Sequence, residues 1–191
     1  MKNRISLLGI IAIVAIVGLG FIACADDDDN TGGPTYKIGD TGPGGGIVFY
    51  DKGSVSDGWR YLEAAPANQG TSLRWASSAF AKTNITGTES AIGTGKANTA
   101  AILVVDGSAP AAVACKNYSG GGKYDWFLPS RGELNAMYEM RTHLGISSEF
   151  FWSSSQRSNE GAWVRRFDDG SEDIYGNGKD SVSHVRAVRA F

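Results

Sequence analysis

The stretch that decides the fold is Tyr124-Asp125-Trp126-Phe127-Leu128-Pro129-Ser130-Arg131-Gly132-Glu133-Leu134. Its first half gathers large apolar side chains in front of Pro129, which disfavours helical backbone at the residue before it. Ser130 and Glu133 form a Ser-x-x-Glu capping box, in which each side chain accepts a hydrogen bond from the other residue's free backbone N–H. These features predict a helix that begins after Ser130 and ends at Gly145. The stretch therefore joins a helical half of the chain to a C-terminal half of predicted strands.

The N-terminus has the pattern of a lipoprotein signal peptide over residues 1–23. Lys2 and Arg4 supply positive charge, residues 5–22 are almost continuously apolar, and the pair Ala23-Cys24 resembles the lipobox of bacterial lipoproteins. In that family the cysteine becomes the mature N-terminus and carries the acyl chains, palmitate among them. The alternative is an uncleaved transmembrane anchor, because the apolar run approaches the ~18 residues that can span a bilayer. Both interpretations place the rest of the chain in the cell envelope, facing the periplasm or the cell exterior.

Residues 24–35 are predicted to form a solvated tether. Four successive aspartates, Asp26–Asp29, repel one another, and the glycines and proline that follow do not build a packed core. A calcium loop spaces its ligands with turn residues and closes with a glutamate, a pattern that this run lacks. The chain has 18 Lys and Arg against 20 Asp and Glu. Because two positive charges belong to the signal and four negative charges to the tether, the remaining domain is neutral, which argues against nucleic acid as a partner.

Residues 36–191 are predicted to form one domain, whose first half mixes strands and helices. Short β-branched and aromatic runs predict the early strands, and Asp51-Lys52-Gly53 is expected to end the first of them as a turn. A glycine-rich run at residues 42–46 lacks the Lys-Ser/Thr ending of a phosphate loop and is interpreted as the entry to that strand. The predicted elements are strands at Ile47–Tyr50, Trp59–Ala64 and Leu73–Ala76, a surface loop over 77–95, and helices at Asn98–Val105 and Pro110–Tyr118.

The C-terminal third has the pattern of strands. Asp169-Gly170 is a strong two-residue hairpin turn, because aspartate and glycine tolerate positive φ. The last run alternates apolar and polar residues, which predicts one terminal strand with Arg186 and Arg189 turned outward. The predicted strands are Phe150–Trp152, Ala162–Asp168, Ser171–Tyr175 and Ser183–Phe191.

Three motifs stand in order along the second half of the chain: Asp125–Leu134, Phe151–Ser155, and the run from Ala162-Trp163 through Asp169-Gly170 to Arg189. Together they resemble the Lcl C-terminal-domain family, a domain of unknown function in bacterial exported proteins. The opening Ile38–Tyr50 resembles the usual entry to that domain in lipoproteins. The resemblance covers about residues 36–191.

That family is similar in architecture to C-type lectin-like domains and to formylglycine-generating enzymes. The resemblance implies an α+β, C-type lectin-like domain with paired first and last strands, two or three helices, and a mostly antiparallel, loop-rich β region. The natural terminal pair is Ile47–Tyr50 with Val185–Phe191.

The residues give little support to an enzyme. Formylglycine-generating relatives use a pair of cysteines, whereas Cys115 is left without a partner if Cys24 is lipidated. Cys115 lies in an alanine-rich helical run and is expected to be a small buried apolar side chain. His143 and His184 with one distant cysteine fall short of the three or four converging ligands of a zinc site. A non-catalytic protein with no resident metal or other cofactor is therefore predicted.

A ligand site is predicted instead in the loops over the β region, as in lectin-like folds. Carboxylates and amides there suit sugar hydroxyls or calcium, and a tyrosine suits stacking on a ring. The candidate ligand-binding residues are Gln156, Arg157, Asn159, Asp168, Asp169, Glu172, Asp173, Tyr175, Asn177 and Asp180. Because the Glu-Pro-Asn and Trp-Asn-Asp signatures of calcium-dependent lectins are absent from the sequence, an extracellular protein or matrix ligand is favoured over a glycan held through calcium.

Two kinds of large side chain complete the predictions. All tryptophans except Trp75 are expected in the core. Arg165 falls on a strand face expected to point inward, so either its stem passes beside the core or it pairs with a carboxylate such as Asp125 or Glu133.

Taken together, the signal pattern and the candidate ligand residues predict a binding module on a lipid anchor, an adhesin-like arrangement. The alternative is a structural envelope lipoprotein with no small ligand.

Overall fold

The computed structural model describes residues 33–172 and 177–191. The predicted signal peptide, Cys24 and the Asp26–Asp29 run lie outside these residues. Residues Pro34–Phe191 form one compact unit, and its α+β class is as predicted. In the described part of the chain, no helix is both long and apolar enough to cross a membrane. The elements are β1 (Ile47–Ser56), β2 (Trp59–Ala64), β3 (Gly70–Arg74), α1 (Gly95–Val105), α2 (Pro110–Lys116), α3 (Arg131–Glu139), β4 (Phe150–Gln156), β5 (Gly161–Arg166), β6 (Asn177–Gly178), β7 (Val182–Val185) and β8 (Val188–Ala190).

The first sheet has the strand order β1-β2-β8, and both neighbouring pairs are antiparallel. β1 is longer than predicted, because it continues through Asp51-Lys52-Gly53 to Ser56. The chain then turns at Asp57-Gly58, where both residues have positive φ. The register of β1 against β2 shifts between Asp51 and Ser56, so Gly53 is accommodated as an irregularity inside the strand.

The expected pairing of the first and last strands is wrong. β2 lies between β1 and β8, and Tyr61 and Phe191 exchange backbone hydrogen bonds of 2.9 and 3.0 Å across the β2–β8 pair. The physical reason is the two-residue connection between β1 and β2, since so short a turn makes consecutive antiparallel strands neighbours. The first and last strands therefore share a sheet with β2 between them.

The second sheet has the strand order β3-β7-β4-β5-β6. Its neighbouring pairs are antiparallel except β4 and β7, which run parallel at the Phe151–His184 pair. The return strand predicted at Ser171–Tyr175 lies partly outside the described residues. Within them, Glu172 forms a single bridge to Arg165, and β6 pairs with the start of β5.

The C-terminal run is two strands, not one as predicted. β7 belongs to the second sheet and β8 to the first, with Arg186-Ala187 between them. Arg186 and Arg189 are buried and not turned outward, because each binds polar groups inside the fold. The Arg186 guanidinium donates to the Ala65 carbonyl at 2.8 Å and to the Asn68 side chain at 2.6 Å. This anchor holds the chain where it passes from one sheet to the other.

The predicted capping box is confirmed at the start of α3. The Glu133 backbone N–H donates to Ser130 Oγ at 3.2 Å, and the Ser130 N–H donates to Glu133 Oε2 at 2.6 Å. The helix ends at Glu139, earlier than predicted, and a series of turns continues to Gly145, which has a φ of 63°. The helices predicted before it are confirmed as α1, which begins earlier at Gly95, and α2, which ends at Lys116.

Glu133 does more than cap its own helix. Its Oε1 also accepts from the backbone N–H groups of Gly93 at 2.9 Å and Gly95 at 3.3 Å, at the start of α1. Burial raises the pKa of this carboxyl, although the hydrogen bonds from backbone N–H groups oppose that shift. One buried carboxylate therefore joins the first turns of two helices.

The aromatic stretch before α3 is divided between two apolar clusters. Trp126 and Leu128 pack in a cluster with Trp75 and Trp152, whereas Phe127 packs in a cluster with Leu134, Phe151 and Phe167. Successive side chains of an extended segment point to opposite sides, which places the stretch between the clusters. Its predicted role as a packing junction is confirmed, except that Tyr124 is 73% exposed.

The expectations for the tryptophans are partly wrong. Trp75 is fully buried, and its indole N–H donates to the Ser153 carbonyl at 2.7 Å. Trp59 and Trp163, both expected in the core, are only partly buried. The reason is that Trp75 lies just after β3 and points between the sheet and α2, whereas Trp163 lies on the face of β5 that α3 only partly covers.

Candidate functional site: the Trp163 face

Helix α3 lies across strand β5, and their facing side chains form three steps. Residues 131, 135 and 138 share one side of the helix, and residues 163, 165 and 167 share one side of the strand and its extension. The Arg131 guanidinium lies 3.8 Å above the Trp163 ring, and Arg165 Nη1 donates to Asn135 Oδ1 at 2.7 Å. At the third step the rings of Tyr138 and Phe167 lie 5.8 Å apart. The polar end of the contact between α3 and β5 is called the Trp163 face. It consists of Arg131, Arg157, Trp163, Arg165 and Glu172.

Glu172 is the carboxylate of the Trp163 face. It accepts a forked pair of hydrogen bonds from Arg131, of which the one from Nε measures 3.0 Å. Arg165 Nη1 lies 3.5 Å from Glu172 Oε1. The hydrogen bond from Arg131 lowers the pKa of Glu172, while partial burial opposes the shift, and the same bond raises the pKa of Arg131.

Arg165 pairs with a carboxylate, as one of the two interpretations held, but not with Asp125 or Glu133. Its partners are Glu172 and Asn135, and its guanidinium lies 4.4 Å above the Tyr138 ring. Asp125 and Glu133 are committed elsewhere, to Arg189 and to the helix caps. The Nε of Arg165 is buried and has no hydrogen-bond acceptor among the described residues.

Arg157 adds a third guanidinium. It is exposed and lies 5.7 Å from the centre of the Trp163 ring. Among the residues that the structure describes, no carboxylate lies within ion-pair distance of it. Among the described residues, the Trp163 face therefore holds three arginines, two of them over the Trp163 ring, and one carboxylate.

Of the predicted ligand-binding residues that the structure describes, Arg157 and Glu172 belong to the Trp163 face. Asp168 and Asp169 are occupied by Arg166, at 2.5 and 3.5 Å. Asp169 also accepts from the Ser171 backbone N–H and hydroxyl, and these bonds lower its pKa. The hydrogen bonds of Asp169 within its turn therefore account for an aspartate at this position without a ligand.

The other predicted ligands are dispersed. Asn159 is exposed in the β4–β5 turn, and Asp180 lines a separate cleft beside Arg74 and Ser78. Asn177 contributes its backbone to β6. Asp173 and Tyr175 lie outside the described residues.

Gln156 has a structural role that the sequence did not reveal. Its Oε1 accepts from the Ile85 N–H at 2.8 Å and from the Lys179 ammonium at 2.6 Å. Lys179 is fully buried, donates also to the Thr83 carbonyl at 2.6 Å, and lies 4.8 Å above the Trp75 ring. Burial lowers the pKa of Lys179 to about 8. Gln156 and Lys179 together fasten the 77–95 loop to the second sheet, so neither is free for a ligand.

The groups considered for catalysis are separated or shielded. Cys115 is buried, as predicted, and burial raises the pKa of its thiol. A thiol without thiolate character is a poor nucleophile. The His184 ring packs 5.4 Å from the Phe151 ring. Within residues 33–172 and 177–191, no group of three or more His, Cys, Asp and Glu side chains is placed to hold a metal ion.

A second ion network lies in the first sheet and explains the glycine-rich run. Glu63 is fully buried and accepts from the Gly44 N–H at 2.9 Å, the Gly46 N–H at 3.0 Å and Arg189 Nη1 at 2.9 Å. Arg189 Nε donates in turn to Asp125 at 2.5 Å. A Cβ on Gly44 would lie 2.7 Å from Glu63 Oε1, so the run needs glycine to wrap the carboxylate. This set, Glu63, Arg189, Asp125 and the two glycines, is called the Glu63 network.

No protein-family model matches the chain, and no curated protein matches it. The resemblance to the Lcl C-terminal-domain family accordingly rests on the order and spacing of its motifs. Support for a function comes from the Trp163 face and from the pattern of the N-terminus.

Arg131 was not predicted to belong to this site, and Trp163 was expected in the core. A signal was present, because Arg131, Asn135 and Tyr138 follow the i, i+4, i+7 spacing of a second, polar face on α3. The alternation of Trp163 and Arg165 along β5 marks the matching strand face. What the sequence does not show is that these two faces meet.

Proposed function

We propose that the protein is a lipid-anchored, non-catalytic binding module of the bacterial cell envelope, and that it holds an extracellular protein ligand on the Trp163 face. The observation that carries this proposal is the stack of Arg131 on the half-buried Trp163 ring, with the exposed Arg157 beside it. Arginine and tryptophan are the residue types that dominate binding energy at protein interfaces.

A protein ligand is preferred to a glycan for a geometric reason. Sugars are held by stacking on an open aromatic face, and guanidinium groups lie over the ring of Trp163. The exposed remainder of the site is a set of hydrogen-bond donors at the rim of an aromatic ring. Such an arrangement matches the arginine-rich, aromatic composition of protein interfaces.

The fold proposal is a C-type lectin-like domain of the Lcl C-terminal type. It is supported by the sharing of one sheet by the first and last strands and by a second, mostly antiparallel sheet connected by loops. In such a domain the shared sheet forms the base, and binding residues lie on the other sheet and its loops. The Trp163 face lies on β5 of that second sheet.

The anchor proposal rests on the Lys2–Cys24 pattern. Mass spectrometry of the mature protein is expected to show Cys24 as the N-terminal residue with acyl chains attached. A mature chain that still begins at Met1 and partitions into the membrane would instead support the transmembrane anchor.

The binding proposal is tested by capture with the full chain purified in detergent. Cell-surface and extracellular proteins retained by the wild type are identified by mass spectrometry, and the same capture is run with Arg157→Gln and with Arg74→Gln. Arg74 is an exposed arginine on β3, away from the Trp163 face, so it controls for the loss of one positive charge. The proposal predicts a partner that Arg157→Gln loses and Arg74→Gln retains. A chain that retains no specific partner, or retains the same proteins in both variants, would favour the structural-lipoprotein alternative.

A further inference from the structure

From the charges of the Trp163 face we infer that its ligand is an acidic protein segment, bound through aspartate or glutamate carboxylates. This inference rests on the proposed function and names the chemistry of its ligand. Among the described residues, the Trp163 face holds three guanidiniums, those of Arg131, Arg157 and Arg165, and one carboxylate, Glu172, which pairs with Arg131 and Arg165. Asp168 and Asp169, which follow β5 in the chain, are held by Arg166. The face therefore carries an excess of positive charge within a neutral domain.

The unused hydrogen-bond donors have the geometry that a carboxylate requires. A guanidinium offers a planar fork that matches the two oxygens of a carboxylate. Arg131 already presents its Nε and Nη2 to Glu172, which shows the fork in use within the protein. The fork of Arg157 is exposed and has no carboxylate partner in the described part of the chain. An arriving carboxylate would meet the free fork of Arg157 first.

Two of the three arginines are also held in place before a ligand arrives. Arg131 is stacked on Trp163 at 3.8 Å and Arg165 on Tyr138 at 4.4 Å. Stacking restricts the rotamers of a long side chain, so less conformational entropy is lost on binding. Glu172 and Asn135 further limit the two guanidiniums.

Two other anionic or polar ligands fit less well. A neutral sugar would need the ring face over which Arg131 lies. A nucleic acid would need positive charge spread along a large surface, whereas the positive charge is confined here to one end of the α3–β5 contact. An acidic side-chain cluster matches both the size and the sign of the face.

The inference is tested with poly-L-glutamate as the probe. Binding to the full chain in detergent is followed by tryptophan fluorescence and isothermal titration at low and physiological salt. Wild-type protein is expected to bind, with affinity that falls as salt screens the charges. Because one partly exposed ion pair contributes up to about 1 kcal/mol, Arg157→Gln is expected to weaken binding by about fivefold, and Arg74→Gln to leave it unchanged. Poly-L-lysine serves as the probe of opposite charge and is expected not to bind.

Three results would overturn the inference. They are no binding of poly-L-glutamate, equal weakening by Arg157→Gln and Arg74→Gln, and tighter binding of polygalacturonate, which would show that the face selects acidic glycans. The proposed function fails separately. If Arg157→Gln still abolishes capture of a natural partner while poly-L-glutamate does not bind, the binding module stands and its acidic ligand is refuted.

Discussion

Two arginine–carboxylate networks in this protein have the same chemistry and differ in how deeply their central carboxylate is buried. In the Glu63 network the carboxylate is fully buried, the Arg189 side chain is 11% exposed, and both carboxylate oxygens have donors. On the Trp163 face the Arg131 side chain is 35% exposed and Glu172 is 18% exposed. There, Arg157 has no ion-pair partner among the described residues, and Arg165 Nε has no acceptor.

The comparison separates a network that holds the fold from one that can receive a ligand. Removing one partner from a buried, fully bonded pair leaves an uncompensated charge inside the protein. Removing one partner from a partly exposed pair leaves a group that water can solvate. We therefore expect large effects on stability in the Glu63 network and small ones on the Trp163 face, where effects on binding should dominate.

The largest effect is expected from Arg189→Met. This change leaves Glu63 buried without its cation and frees Asp125, so the free energy of unfolding should fall by about 3–5 kcal/mol. Urea unfolding followed by tryptophan fluorescence measures it. Arg166→Met, which removes an exposed ion pair with Asp168, is the control and should have a much smaller effect. Equal effects of the two variants would contradict the distinction.

A smaller loss is expected from Gly44→Ala. The new methyl group would lie 2.7 Å from Glu63 Oε1 and 2.7 Å from the Trp126 ring, so one of them must move. Overpacking of this kind lowers the free energy of unfolding by about 1–3 kcal/mol. Gly33→Ala is the control, because no atom lies within 4 Å of its added Cβ. Unchanged urea midpoints for both variants would show that the glycine-rich run can shift to accept the added methyl group.

Glu172→Gln tests the partly exposed network of the Trp163 face through the pH dependence of stability. Its pKa is held below the ordinary value of 4.5 by the hydrogen bond from Arg131, so its charge stabilises the fold above that pH. That contribution is lost as the pH falls through the lowered pKa. At pH 7 the variant should be less stable by about 1 kcal/mol or less, and the difference should shrink toward pH 3. Urea titrations at both pH values test this, with the exposed Glu160→Gln as control. A difference that grows in acid would contradict the sign.

The smallest effect on stability is expected from Arg165→Met. The lost hydrogen bond to Asn135 and the lost ion pair with Glu172 together contribute about 1–2 kcal/mol, and the unpaired buried Nε that disappears with them costs about 1–3 kcal/mol. The free energy of unfolding should therefore stay within about 1 kcal/mol of the wild type or rise slightly. Affinity for poly-L-glutamate should fall nonetheless. A loss as large as that of Arg189→Met would place Arg165 with the structural networks.

The local features of the fold were predictable because short-range chemistry determines them. The capping box of Ser130 and Glu133 depends on four residues, and the pattern of the Ile47–Tyr50 run depends on its own side chains. The pairing of β8 with β2 was not predicted. The first and last strands were expected to pair with each other, and this expectation did not take into account that the short turn between β1 and β2 makes those two strands neighbours. The break between β7 and β8 at Arg186-Ala187 was not predicted, because the alternation of apolar and polar residues continues where the chain passes from the second sheet to the first.

The candidate site was predictable in part for the same reason. Arg157 and Glu172 were identified as loop residues with polar groups, but Gln156 was not recognised as the partner of the buried Lys179. That contact joins residues far apart in the chain, so no local pattern announces it. Trp75 and Trp163 exchanged their expected roles, because burial depends on which element covers a strand.

By itself, the sequence determined the start of α3 at its capping box, because that signal acts between neighbouring residues. The glycine-rich run was predicted only as the entry to β1, and the need for glycine at Gly44 follows from its contact with Glu63 in the structure. Only the tertiary structure decided which charges are paired. It placed Arg189 on Glu63 and Arg131 on Trp163, since the contact of two faces is a property of the packed chain. That placement makes one network structural and leaves the other open to a ligand.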